Sequence, residues 1–207
     1  MTKIKICGLT REEDVESVNE AKPDYCGFIV EVPKSRRNVS EKRVRSLVKF
    51  LDSGILPVGV FVDAPVELPA RMANEGIIRM IQLHGQENEE YIKELRSLTK
   101  VPVVQAFSVA READVVYAEK SSADWILLDH GSGGTGRTFD WNLTKKVKRP
   151  FFLAGGLTLE NLSRAVQTVN PWAVDLSSGV ETDGQKDRGK IQTAVKTVRE
   201  IKTIRGE

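Results

Sequence analysis

Apolar, β-branched runs recur along the chain at Ile4–Cys7, Tyr25–Val30, Pro57–Val62, Met80–Leu83, Val101–Phe107, Trp125–Leu128, Phe151–Ala154 and Ala173–Leu176. Each has the length of a buried strand. Most are continuous rather than alternating, the pattern of parallel strands covered on both faces. Between them, apolar positions fall three and four residues apart, which predicts helices. Thr10 and Glu13 have the spacing of a capping box ahead of Val15 and Val18. Ser40 is placed to cap a helix carrying Val44, Leu47, Val48 and Leu51. Pro65 suits a first helical turn, where its missing N–H is not needed. Helical patterns follow over Glu87–Leu98, Ala110–Lys120 and Thr158–Thr168, with a weaker, shorter one at Trp141–Val147. A last helix lines up Ile191, Ala194, Val195, Val198 and Ile201 on one stripe.

Eight strand–helix units in strict alternation predict parallel βαβ connectivity. Over 207 residues this approaches the shortest workable (β/α)8 barrel, so the expected architecture is one α/β TIM-barrel domain spanning 1–207. An open doubly wound sheet is the competing arrangement, but such sheets seldom carry eight uninterrupted units without an antiparallel edge.

Composition narrows the classes of function. Lys and Arg number 31 against 29 Asp and Glu, too balanced for a dedicated nucleic-acid binder. Cys7 and Cys26 are the two cysteines, too few for a disulfide framework or a four-thiolate zinc site, and Cys26 reads as a core residue. With two histidines in the chain, no metal is expected. No run approaches a membrane span, and the start lacks a signal-peptide pattern, so a cytoplasmic protein is expected. The sequence leaves monomer and homodimer open.

In such a barrel, chemistry sits at the C-terminal strand ends. The first strand ends in Cys7-Gly8, where a thiolate would serve as nucleophile or base. The sixth ends in Asp129, which partial burial would favour as a neutral acid. The glycines at 131, 133 and 136 match a dinucleotide fingerprint literally, but no helix follows directly, so a lid over the barrel mouth fits better. Glycine turns at Ala154-Gly155-Gly156 and Asp175-Leu-Ser-Ser-Gly179 follow the seventh and eighth strands, where barrel enzymes bind phosphate. Lys34, Arg36 and Arg37 form a cationic loop suited to an anionic substrate, and Gln82 and His84 add polar groups at the same rim.

Taken in order, Lys5-Ile-Cys-Gly8, Pro33-Lys-Ser-Arg-Arg37, Gly59-Val-Phe-Val62, Gln82-Leu-His-Gly85, Leu128-Asp129, Thr138-Phe-Asp-Trp141, Ala154-Gly-Gly156 and Asp175-Leu-Ser-Ser-Gly-Val-Glu181 resemble the phosphoribosylanthranilate isomerases of tryptophan biosynthesis. The resemblance implies a cofactor-free Amadori rearrangement of a phosphorylated small molecule, with Cys7 as general base and Asp129 as general acid. It implies that Arg37 holds the anthranilate carboxylate, that Gly155, Gly156, Ser178 and Gly179 bind phosphate, and that Gln82, His84 and Asp175 support the site. Asn38 departs from the family, in which many members carry an aromatic there. The alternatives are another phosphosugar enzyme on the same scaffold and a non-catalytic phosphate-ligand sensor. Histidine-pathway relatives typically place an aspartate where this chain has Cys7.

Overall fold

A computed structural model describes residues 1–130 and 140–201. The glycine turn proposed as a lid lies outside them, at 131–136. Eight parallel strands form the barrel: β1 (Lys3–Cys7), β2 (Tyr25–Val30), β3 (Leu56–Phe61), β4 (Met80–Leu83), β5 (Val103–Ser108), β6 (Trp125–Asp129), β7 (Phe151–Leu153) and β8 (Ala173–Leu176), and a two-residue strand, Asn38–Val39, adds to the end of β2. Each of the eight pairs with its sequence neighbours. The pairing of β1 with both β8 and β2 closes the sheet into a barrel, as expected.

Helices α1 (Glu12–Ala21), α2 (Glu41–Leu47), α3 (Glu67–Asn74), α4 (Glu89–Leu98), α5 (Glu112–Ala118), α6 (Leu159–Val169) and α7 (Arg188–Glu200) cover the outside. Between β6 and β7 a 3-10 helix, Trp141–Lys146, takes the place of an α-helix. It was expected to be the weak member, and its apolar face is short. Ser40 caps α2 as expected, with its side chain accepting from Arg43 N–H.

The capping box expected of Thr10 and Glu13 is corrected by the structure. Asp14 is the acceptor, taking the backbone N–H groups of Thr10 at 2.8 Å and Arg11 at 3.0 Å and the Arg11 guanidinium as well. The helix starts one residue later than the pattern suggested, so its third position falls on Asp14.

Strand alternation divides the core in two. Outward residues such as Ile4, Ile6, Cys26, Phe28, Leu128 and Leu176 pack under the helices. Inward residues Tyr25, Val58, Met80, Val104, Leu127, Phe152 and Ala173 fill the barrel. That apolar plug leaves the C-terminal end of the barrel to the polar inward residues.

Candidate active site

The mouth of the barrel holds a cavity of about 500 Å³. Cys7, Arg37, Gln82, His84, Asp129, Gly155, Gly156, Asp175 and Ser178 line it, which gathers all but one of the residues singled out from the sequence. The exception is Gly179. A Cβ there would meet the carbonyl oxygen of Leu157 at 1.9 Å, so Gly179 is where the loops after β7 and β8 touch. It shapes the second glycine turn from behind.

Register explains the polar cluster at the centre. Lys5 and Asp175 are direct neighbours on β1 and β8, and their side chains pair at 2.7 Å, almost fully buried. Cys7 lies beside Gly27 on β2, and a Cβ at Gly27 would meet Cys7 Sγ at 2.7 Å, so only glycine leaves the thiol room. Burial pushes the Cys7 thiol up, against the pull of Lys5. Burial pulls the Lys5 ammonium down, but Asp175 and Cys7 outweigh it and hold the group above its usual value. Asp175 lines the cavity, and among the described residues its Oδ1, the oxygen not bonded to Lys5, has no hydrogen-bond partner.

Asp129 closes β6 with its carboxyl buried, which raises it to about 6. Its Oδ1 accepts the N–H of His130 at 2.6 Å, and its Oδ2 stands 3.7 Å from His84 Nε2. Burial lowers His84, so the imidazole is neutral near pH 7. The Gln82 amide nitrogen lies 3.0 Å from His84 Nδ1 and acts there as donor, which leaves the ring proton on Nε2, facing Asp129.

Gly155 and Gly156 take φ values of +84° and +62°, a backbone path that side-chain-bearing residues rarely follow. Among the described residues, their N–H groups are not used by other backbone carbonyls. They line the cavity and lie shortly before Thr158, the N-cap of α6.

On the opposite rim, Arg37 is already engaged. Glu181 accepts from its Nε at 2.6 Å and its Nη2 at 2.9 Å, while Arg36 reaches the same carboxylate at 2.6 Å. Lys186, with 1 % of its side chain exposed, donates to Glu181 as well. Asn38 ties this loop down by accepting from Val32 N–H.

Lys5, Glu181 and Lys186 were not singled out from the sequence. Lys5 carried a readable signal, a lysine inside an apolar run two residues before Cys7 and hence on its side of the strand. Glu181 and Lys186 pair in a short antiparallel hairpin, Glu181–Thr182 with Gln185–Lys186. Its turn, Asp183-Gly184, is the dipeptide that marks two-residue hairpins.

Residues 4–197 match the family model described as N-(5'phosphoribosyl)anthranilate (PRA) isomerase. The N-(5'-phosphoribosyl)anthranilate isomerase of Endomicrobium trichonymphae is 47% identical over 206 residues, covering 97% of this chain and 100% of that one. A structure of monomers generated from the dimeric phosphoribosylanthranilate isomerase of Thermotoga maritima superposes with a TM-score of 0.85 at 35% identity, covering 97% and 100%. A phosphoribosylanthranilate isomerase in complex with reduced 1-(o-carboxyphenylamino)-1-deoxyribulose 5-phosphate superposes at 0.83 with 33% identity, over 97% and 100%. Barrel, cavity and full-length likeness agree, and the chain belongs to the N-(5'-phosphoribosyl)anthranilate isomerase family.

Proposed function

We propose that the cavity isomerises N-(5-phosphoribosyl)anthranilate to 1-(2-carboxyphenylamino)-1-deoxyribulose 5-phosphate by general acid–base catalysis, with Asp129 as acid and Cys7 as base. The observation that carries this reading is a carboxyl raised to about 6 sharing one cavity with a cysteine and a glycine turn rich in free amides. That a related isomerase holds a phosphate ester of the same skeleton supports the phosphorylated ligand.

Asp129 protonates the ribose ring oxygen. The C1–O bond breaks as the anthranilate nitrogen donates its lone pair, which forms a Schiff base. Cys7 thiolate then takes the C2 proton, and the electrons move into an enolamine. Tautomerisation follows, with C1 gaining a proton and the C2 hydroxyl losing one, so Asp129 returns to acid and Cys7 to thiolate. The substrate nitrogen is the electron path throughout. The phosphate sits against Gly155, Gly156 and Ser178, with Gly179 bracing the turn. Arg37 offers the anthranilate carboxylate its Nη1 edge, which Glu181 does not use. Gln82, His84 and Asp175 surround the sugar.

The test is fluorescence turnover of freshly made phosphoribosylanthranilate by wild type, Cys7→Ala and Asp129→Asn. Each variant should stay folded and lose at least about 100-fold. An inactive wild type overturns the activity, and active variants overturn the assignment of acid and base.

A further inference from the structure

Lys5 is walled into the barrel with 1 % of its side chain exposed, and the scheme above gives it no task. Burying an ammonium is costly, and Asp175 offsets that cost without needing the cation to lie beside the thiol. Yet it does. Lys5 and Cys7 stand two apart on β1 and project to the same side of the strand. A Cβ at Gly27 would meet Cys7 Sγ at 2.7 Å and Lys5 Nζ at 3.2 Å, so both groups border one small volume. On the other flank of β1, Asp175 Oδ2 anchors Nζ at 2.7 Å.

We propose that Lys5 is a positioning residue for the reaction: its ammonium, anchored by Asp175, is the counter-ion against which Cys7 works as a thiolate. The inference rests on the reading of Cys7 as the base. The groups that face Cys7 are Lys5 on its own strand, Asp175 on β8 and Lys186 on the hairpin that follows. Cys26 on β2 lies within electrostatic reach as well. Burial opposes the thiolate, Lys5 and Lys186 favour it, and Asp175 opposes it. Without Lys5 the thiolate would face Asp175 with the weaker pull of Lys186 to offset it. Lys5 and Asp175 therefore act on Cys7 with opposite signs, so removing each should move the thiol in opposite directions.

The experiment is the pH dependence of Cys7 alkylation by iodoacetamide, read by mass spectrometry on the full chain so that Cys26 is scored separately. Lys5→Met should raise the midpoint by at least about one pH unit, a tenfold loss of thiolate at fixed pH. Asp175→Asn should lower it, and Lys5→Arg should hold it near wild type. In turnover, kcat of Lys5→Met should fall with the thiolate fraction while KM moves less. Lys5→Met strands Asp175 without its cation. The double variant Lys5→Met/Asp175→Asn, which buries neither charge, is therefore titrated against Asp175→Asn and should have the higher midpoint. Equal midpoints in those two, or an upward shift in Asp175→Asn, overturn the proposal. Midpoints that move as expected while Cys7→Ala still turns over substrate remove Cys7 from the reaction, and Lys5 with it. Unmoved midpoints beside an inactive Cys7→Ala overturn the role of Lys5 alone.

Discussion

Glu181 grips Arg37 in a bidentate ion pair, with Oε1 2.6 Å from Nε and Oε2 2.9 Å from Nη2. The guanidinium plane is thereby set by the hairpin after β8 rather than by the loop that carries it. Arg37 has 11 % of its side chain exposed, and Lys186 shares the same carboxylate. Glu181→Gln keeps the shape and removes the charge, so Arg37 loses its fixed orientation. The expected outcome is a KM rise of about tenfold with a smaller change in kcat, since the ion pair is lost and the amide has one acceptor oxygen for two guanidinium donors. Glu181→Ala removes the partner of three cations, two of them largely buried, and should cost about 3 kcal/mol in denaturant unfolding at pH 7. Burial pushes the Glu181 carboxyl up, but hydrogen bonds from Arg37 and Lys186 hold it below its usual 4.5. A depressed carboxyl stabilises the fold where it is ionised. The gap between wild type and Glu181→Gln should thus be full near neutrality and close as the pH falls below the usual carboxylate range. An unchanged KM in both variants would mean that Arg37 does not meet the substrate.

Asp129 gives the reaction a pH signature. Its carboxyl is raised from 3.8 to about 6, by burial first and by Asp175 after the opposing bond from His130. Cys7 is pushed above its usual 9.0, again by burial. The competent form needs the acid protonated and the base ionised, the reverse of the dominant state between the two. That form is a minor population, flat across the interval. The value of kcat/KM should therefore be level from about pH 6 up to the raised Cys7 titration and fall about tenfold per unit below 6. Residual activity of Asp129→Asn should show no break at pH 6. Stability moves the other way. A carboxyl raised on folding favours the native state below its unfolded value and loses that advantage as pH rises to 6. Asp129→Asn should thus be stabilised relative to wild type at pH 8 by up to about 3 kcal/mol, and by nothing at pH 3.

Gly155 holds that acid in place by having no side chain. A Cβ there would lie 2.6 Å from His130 N and 2.7 Å from Asp129 Oδ1, at a φ of +84°. Gly155→Ala should push the Asp129 carboxyl off its backbone hydrogen bond and cost at least about 100-fold in kcat, on the scale of losing the acid. Gly76→Ala is the control. Its φ is +74° and a Cβ there meets nothing within 4 Å, so it carries the backbone strain alone. It should lose about 1 kcal/mol of stability and keep full activity. If the two variants have equal kcat, the contact between Gly155 and Asp129 is irrelevant to the reaction.

Much of this was legible in the chain because strand and helix periods differ. The apolar runs placed all eight barrel strands, and the polar residue ending each run pointed to Cys7, Asp129 and Gln82-Leu-His84. Pairing across strands was not legible. Lys5 meets Asp175 through register alone, and residues 170 positions apart leave no local pattern. Glu181 and Arg37 are likewise brought together by barrel closure, so Arg37 read as a free cation although its guanidinium already has a partner. Nor does any local pattern show that a side chain at Gly179, a residue of the proposed phosphate loop, would collide with the Leu157 carbonyl across the neighbouring turn.

The start of α1 shows how one residue of offset misleads. Thr10 and Glu13 have capping-box spacing, but the carboxylate that closes the turn is Asp14. It is 1 % exposed, while Glu13 lies in solvent. Asp14 Oδ2 takes the N–H groups of Thr10 and Arg11, and Oδ1 takes the Arg11 guanidinium at 2.7 Å. It thus satisfies donors that α1 cannot, at the positive end of the helix dipole. A shorter acid wins here because a buried acceptor close to the backbone needs fewer ordered side-chain bonds than glutamate would. Asp14→Ala should therefore destabilise the protein by about 2 kcal/mol, the upper range for a lost cap, since it also frees Arg11. Glu13→Ala should stay within about 0.5 kcal/mol of wild type, as an exposed substitution does. Urea unfolding of both variants decides it. A larger loss in Glu13→Ala than in Asp14→Ala would restore the capping box to Glu13.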